Sequence, residues 1–129
     1  MMMAANTRPA GRLDVVITES TPWVVVTVSG ELDLSTAPGL ESHLDRVLVR
    51  DGPQRVALEL SGLLFCDSTG LGLLVHTWKR LQPIGGELVL LHLPKHMVQL
   101  LKRTGLDKLF SQRDTLPPES LARTSPAKR

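Results

Sequence analysis

Apolar and polar positions along the chain alternate between short β-branched runs and longer stretches with helical spacing. Leu13 to Thr18 and Trp23 to Ser29 are two β-branched runs separated by Glu19-Ser20-Thr21-Pro22, a pattern that predicts a hairpin. Gly30 to Pro38 reads as a loop entering a helix, with Ser35 or Thr36 at the N-cap and Pro38 tolerated only in the first turn. Ala37, Leu40, Leu44, Val47 and Leu48 share one face of that helix, and Gly52-Pro53 stops it. Arg55 to Leu60 predicts a third strand, which Ser61-Gly62 turns toward the stretch around which the chain is organised, Leu63 to Trp78.

In that stretch an apolar run, expected as a buried strand, ends in Asp67-Ser68-Thr69-Gly70, and helical spacing resumes at once with Leu71, Leu74, Val75, Trp78 and Leu81. Pro83-Ile84-Gly85-Gly86 breaks the helix. Glu87 to His92 has an almost uninterrupted apolar centre, as expected of a strand covered on both faces. Pro94 to Thr104 predicts a third helix closed by Gly105, Leu109-Phe110 a short edge strand, and Leu116 to Leu121 a frayed helix.

These elements predict an α/β fold in one domain over residues 13–115: a mixed sheet of four to five strands, with an N-terminal hairpin and helices packed on it. Residues 1–12 are expected to be a flexible extension, and 116–129 a second one, partly helical or disordered. Crossovers of this length suit parallel strands, so the helix starts near Thr36 and Ser68 emerge at the same, carboxyl, end of the sheet.

Composition narrows the function. A hydrophobic content of 42% supports one core. The single thiol, Cys66, excludes a disulfide framework, and its place in an apolar run makes it a small core residue. No apolar run reaches the ~18 residues of a membrane span, and Met1 to Arg12 lacks a signal-peptide core, so a cytoplasmic location is expected. The net charge of +2 is placed at the ends: Leu13 to Thr115 carries ten basic against twelve acidic side chains. A mildly acidic body with no Tyr, two Phe and two Trp does not suit nucleic acid.

Ser68 and Thr69 sit at the expected positive end of a helix beside Asp67, where free N–H groups and the helix dipole favour an anion. As a capping residue Ser68 needs no further role; as an acceptor of phosphate it is a switch, because the group brings ≈ −1.5 to −2 charge. A hydrolytic triad has little support. Ser68 lacks a Gly-x-Ser-x-Gly elbow, and His43, His76, His92 and His96 have ordinary places off the apolar stripes or beside a loop. Gly70-Leu71-Gly72 lacks the third glycine of a dinucleotide loop, Val75 standing in its place. Asp33, Asp67 and the histidines show no metal-ligand spacing, so neither metal nor cofactor is expected.

Val28-Ser29-Gly30-Glu31-Leu32-Asp33-Leu34-Ser35-Thr36-Ala37-Pro38, followed some thirty residues on by Phe65-Cys66-Asp67-Ser68-Thr69-Gly70-Leu71-Gly72, resembles the STAS domain of bacterial anti-sigma factor antagonists. The resemblance runs from about Leu13 to Phe110. It implies a non-enzymatic protein that binds an anti-sigma factor of the serine-kinase type and so frees a sigma factor. It also implies that the kinase phosphorylates Ser68 and that a serine phosphatase reverses this. Thr69 replaces the commoner second serine and is the rival acceptor. By the same resemblance Asp33, Ser35, Asp67, Ser68, Thr69 and Gly70 form the partner surface; from its residues alone, Asp33 is equally a turn residue closing its own loop. Homodimerisation stays open. The alternatives are a nucleotide-binding protein and a constitutive scaffold without a phosphoswitch.

Overall fold

The computed structural model describes residues 12–49 and 54–117. β1 (Leu13–Ser20) and β2 (Trp23–Leu32) form the expected antiparallel hairpin, with Ser20 opposite Trp23 and Leu13 opposite Gly30. There follow α1 (Ala37–Leu48), β3 (Arg55–Glu59), β4 (Leu63–Cys66), α2 (Ser68–Leu81), β5 (Glu87–Leu91) and α3 (Lys95–Thr104). A 3-10 turn at Leu106–Lys108 leads to β6 (Ser111–Arg113). The sheet runs β1-β2-β3-β5-β6, with β4 also on β2; only β1 is antiparallel to its neighbour, so the sheet is mixed.

The sheet has six strands rather than four or five, because β3 and β4 are two pieces of one path along β2. β3 pairs with residues 23–27 of β2 and β4 with Gly30–Leu32. Between them the chain tightens at Leu60, whose carbonyl accepts the Leu63 N–H. The edge strand lies at Ser111–Arg113 and not at Leu109-Phe110. Phe110 is instead buried in the core, and the polar triplet after it takes the exposed edge, where a short hydrophilic strand resists pairing with other chains. β2 also runs further than its pattern suggests, to Leu32, because β1 and then β4 supply ladder partners beyond Ser29. Gly30 makes this possible: its φ is +106°, and a Cβ there would stand 2.3 Å from the Arg12 carbonyl oxygen. The register shifts by a bulge between Gly30 and Glu31.

All three helices pack on one face of the sheet. Val24, Val26, Leu58 and Leu90 from the strands meet Leu40, Leu44, Leu74 and Met97 in one cluster. The stripe read for α2 is close to the observed one, except that Leu73 is also buried while Val75 and Trp78 are half-buried. On the opposite face Trp23, Ala57, Val89 and Leu91 form a smaller cluster against which Leu116 packs. β5 therefore contributes to both clusters, which accounts for its unbroken apolar centre. Leu116 and Pro117 are not helical; the rest of the expected C-terminal helix, the N-terminal extension to Gly11 and Gly52-Pro53 lie outside the described residues.

Two glycines give opposite expectations. Gly30→Ala should destabilise by about 1–3 kcal/mol, because both the positive φ and the Arg12 carbonyl oppose a side chain. Gly39→Ala, in α1 with nothing within 4 Å of the added carbon, should stabilise by up to ~1 kcal/mol. Urea unfolding of the two variants measures both signs.

Candidate partner-binding and modification site

β4 delivers the chain to the carboxyl end of the sheet, with Cys66 opposite Leu32. The next residue is tied to β2 as well, the Asp67 N–H donating to the Leu32 carbonyl at 3.2 Å. Asp67, not Ser68, is the N-cap of α2: its extended backbone turns the chain and its Oδ1 accepts the Gly70 N–H at 3.0 Å. Ser68 is thereby moved to the first helical position, where it is exposed, with Thr69 half-buried behind it. Among the described residues the N–H groups of Ser68 and Thr69 have no acceptor, so the positive helix end remains open toward the Ser68 hydroxyl.

Gly70 seats this corner on the sheet. A Cβ there would stand 2.7 Å from Cys66 Sγ and 2.8 Å from Leu32 Cγ. Cys66 itself is buried, and burial first, then the neighbouring Asp67 carboxylate, push its thiol up to about 12. It stays protonated and packs as the small core residue expected.

The loop after β2 lies alongside. Asp33 Oδ1 accepts the N–H of Ser35 at 2.9 Å, the N–H of Thr36 at 3.1 Å and the Ser35 hydroxyl at 2.8 Å. The Ser35 hydroxyl foremost, against the opposing effect of burial, and then the Thr36 and Ser35 N–H groups hold the Asp33 carboxyl below its ordinary value. Thr36 occupies the N-cap position of α1 but its side chain does not cap: its hydroxyl donates to the Glu31 carbonyl at 2.7 Å. Asp33 thus closes its own loop, while Ser35 stays exposed. Leu34 at the loop tip and Thr69 on α2 line one groove of about 240 Å³ with Pro38, Leu73 and His76, so the structure brings the two motifs together.

One feature departs from the pattern. The strand entering the corner is not buried along its length: Leu64 is 74% and Phe65 48% exposed, and Leu34 across the groove is 75% exposed. β4 pairs with β2 beyond the stretch that β3 and β5 share and, among the described residues, has β2 as its only strand partner; Leu64 is the extra residue at the register shift, and two of the four side chains of β4 are exposed. An apolar run looks the same in sequence whether a helix or a partner covers it; nothing in the residues themselves distinguishes the two.

The STAS family model matches residues 12–118. The chain belongs to the STAS-domain family. It is 36% identical over 98 residues to the anti-sigma-B factor antagonist of Staphylococcus aureus strain NCTC 8325, covering 76% of this chain and 90% of that one. It is 31% identical over 87 residues to the anti-sigma F factor antagonist of Paenibacillus polymyxa, covering 67% and 74%. Its fold is similar to the crystal structure of an anti-sigma factor antagonist from Mycobacterium paratuberculosis, with a TM-score of 0.71, 29% identity and coverage of 88% and 93%.

Three of the four histidines of this STAS domain hold structure together, while His76 is exposed on the groove. His43 Nδ1 bonds the Gly39 carbonyl within α1, and His96 Nε2 donates to the Leu63 carbonyl at 2.8 Å, giving β4 a partner from α3 on its open side. His92, with φ of 53°, reaches Glu59, whose other oxygen accepts the Ser61 N–H at 2.8 Å. This brace holds the turn between β3 and β4. The Glu59 hydrogen bond foremost, then its charge, with Asp114 adding, raise the His92 pKa above 6.5. Burial would raise Glu59, but the Ser61 N–H and His92 outweigh it and lower Glu59 below 4.5. Among the described residues no three His, Cys, Asp or Glu side chains are grouped to hold a metal ion, and no helix is long and apolar enough to cross a membrane.

The signs of those shifts set a pH window. His92 adds stability in full below 6.5, lost as pH rises through its raised pKa; Glu59 adds stability above 4.5, lost as pH falls through its lowered one. The brace should be strongest between 4.5 and 6.5. NMR titration should place His92 above 6.5, and Glu59→Gln should return it toward that value. Asp67→Ala, which strands the Gly70 N–H, should cost ~1 kcal/mol in urea unfolding.

Proposed function

We propose that this chain is an anti-sigma factor antagonist that binds an anti-sigma factor of the serine-kinase type while Ser68 is unmodified, and so frees a sigma factor. Phosphorylation of Ser68 by that kinase ends binding, and a serine phosphatase restores it. The protein acts by binding and catalyses nothing itself. The observation that carries this reading is the placement of an exposed hydroxyl, Ser68, on the open first turn of α2, with exposed apolar side chains on the strand that enters this turn and on the neighbouring loop. Leu34, Leu64 and Phe65 are three of the six large hydrophobics exposed among the described residues, and all belong to the two segments that meet at this corner. The names of the relatives support the same reading.

The switch has a physical basis. A phosphate on Ser68 faces water and the unpaired N–H groups of the helix start, so the fold tolerates it. Pressed into an apolar contact with a partner, the same group loses its water without a compensating cation, and taking such a charge out of water costs several kcal/mol. Turning occupancy from nearly full to nearly empty takes ~5.5 kcal/mol, which lies within that range. Thr69, half-buried on the groove wall, is the less accessible hydroxyl.

Incubation of the full chain with its kinase and ATP, followed by mass mapping, should place phosphate on Ser68; phosphate on Thr69 alone, or none, refutes the assignment. Ser68→Ala should retain partner binding and Ser68→Asp should weaken it at least about ten-fold, both with unchanged unfolding midpoints. Equal binding by the two variants would instead indicate a constitutive scaffold. Phe65→Ser should weaken the partner by about ten-fold or more with little loss of stability, since the ring is already half in water.

A further inference from the structure

At the other end of the sheet, where β2 and β5 begin, a cavity of about 370 Å³ opens beside the two tryptophans of the chain, Trp23 and Trp78. Its lining is mixed: Leu88, Val89, Leu109 and Pro117 join the two indoles, and Gln82, Glu87, Ser111 and Arg113 contribute polar surface. The volume is that of a small-molecule site, and apolar side chains beside polar ones suit a ligand that has both kinds of surface. The rim is electrically one-sided. Glu87, the carboxylate on the wall, is held by Arg55 at 3.0 Å, whereas Arg113 is exposed and has no ion-pair partner among the described residues. The indole N–H of Trp23 is buried away from the cavity and has no acceptor among the described residues.

We propose that this cavity is a binding site for a small amphiphilic carboxylate. The apolar chain lies against Trp78, Leu88 and Leu109, and the carboxylate takes the Arg113 guanidinium, whose planar fork fits two oxygens at once. The site lies at the end of the strands opposite Ser68, and the proposal is independent of the reading of that residue.

Because both tryptophans stand in the wall, their emission reports occupancy with no added label. The full chain is titrated with sodium octanoate, octanol and octylammonium, with circular dichroism to verify that the fold is intact. Octanoate should produce a saturable emission change with an apparent Kd of order 0.1–1 mM, octanol a weaker one, and octylammonium the weakest. Arg113→Ala, a change on an exposed edge strand, should weaken octanoate about ten-fold and leave octanol unaltered. Ser111→Phe, which fills the rim, should weaken both. No saturable change with octanoate, octylammonium binding as tightly as octanoate, or an Arg113→Ala variant with unaltered octanoate affinity would each overturn the proposal.

Discussion

The molecule depends on the parallel pairing of β4 with the last residues of β2. Leu63 lies opposite Gly30 and Cys66 opposite Leu32, and the ladder is continued by the Asp67 N–H on the Leu32 carbonyl. Three hydrogen-bonded steps therefore bring together two segments separated by thirty residues of chain. The Asp33 loop leaves from one strand and α2 starts from the other, so the distance between them is set by a sheet register and not by a flexible loop. The pairing needs two absences of side chain: Gly30, whose φ and contact with Arg12 admit no Cβ, and Gly70, whose Cβ would strike Cys66 and Leu32.

The corner so built combines properties that seldom share a surface. Its polar groups are satisfied internally. Asp33 is occupied by Ser35 and Thr36, and Asp67 by Gly70, so neither carboxylate demands a cation. What remains open is the helix end at Ser68 and Thr69, together with Leu34, Leu64 and Phe65. Under the proposed function, an apolar surface beside a positive helix end favours a protein partner when neutral and disfavours it once it carries an anion, with no change of fold required. Rigidity behind the site comes from Glu59, His92 and His96, which hold the turn into β4 and the strand's open side.

The element order could be read from the chain because periodicity and turn chemistry are local. Two β-branched runs around Glu19 to Pro22 make a hairpin in any context, and Leu40, Leu44 and Val47 make one face of a helix. The corner was legible for the same reason, since an apolar run ending in Asp67-Ser68-Thr69-Gly70 carries its own cap and its own turn. The errors fell where a residue's role is assigned by a neighbour distant in sequence. The place of the edge strand followed from the burial of Phe110, and the length of β2 followed from partners on both sides; the choice of Asp67 over Ser68 as the capping side chain, open in the chain, followed from the tie to Leu32.

By itself the sequence determined the fold class and the family, and it singled out the residue proposed as the switch, because those reside in short motifs whose hydrogen bonds close within a few residues. Only the tertiary structure decided what the apolar side chains are for. Leu63 and Leu64 are adjacent and chemically identical, yet one is buried and the other 74% exposed, since Leu63 pairs with Gly30 whereas Leu64 is the extra residue where the register shifts, opposite neither Gly30 nor Glu31. The cavity between Trp23 and Trp78 is likewise invisible in the chain, for its walls come from β2, α2, β5 and β6, and emptiness is a property of how those pieces meet.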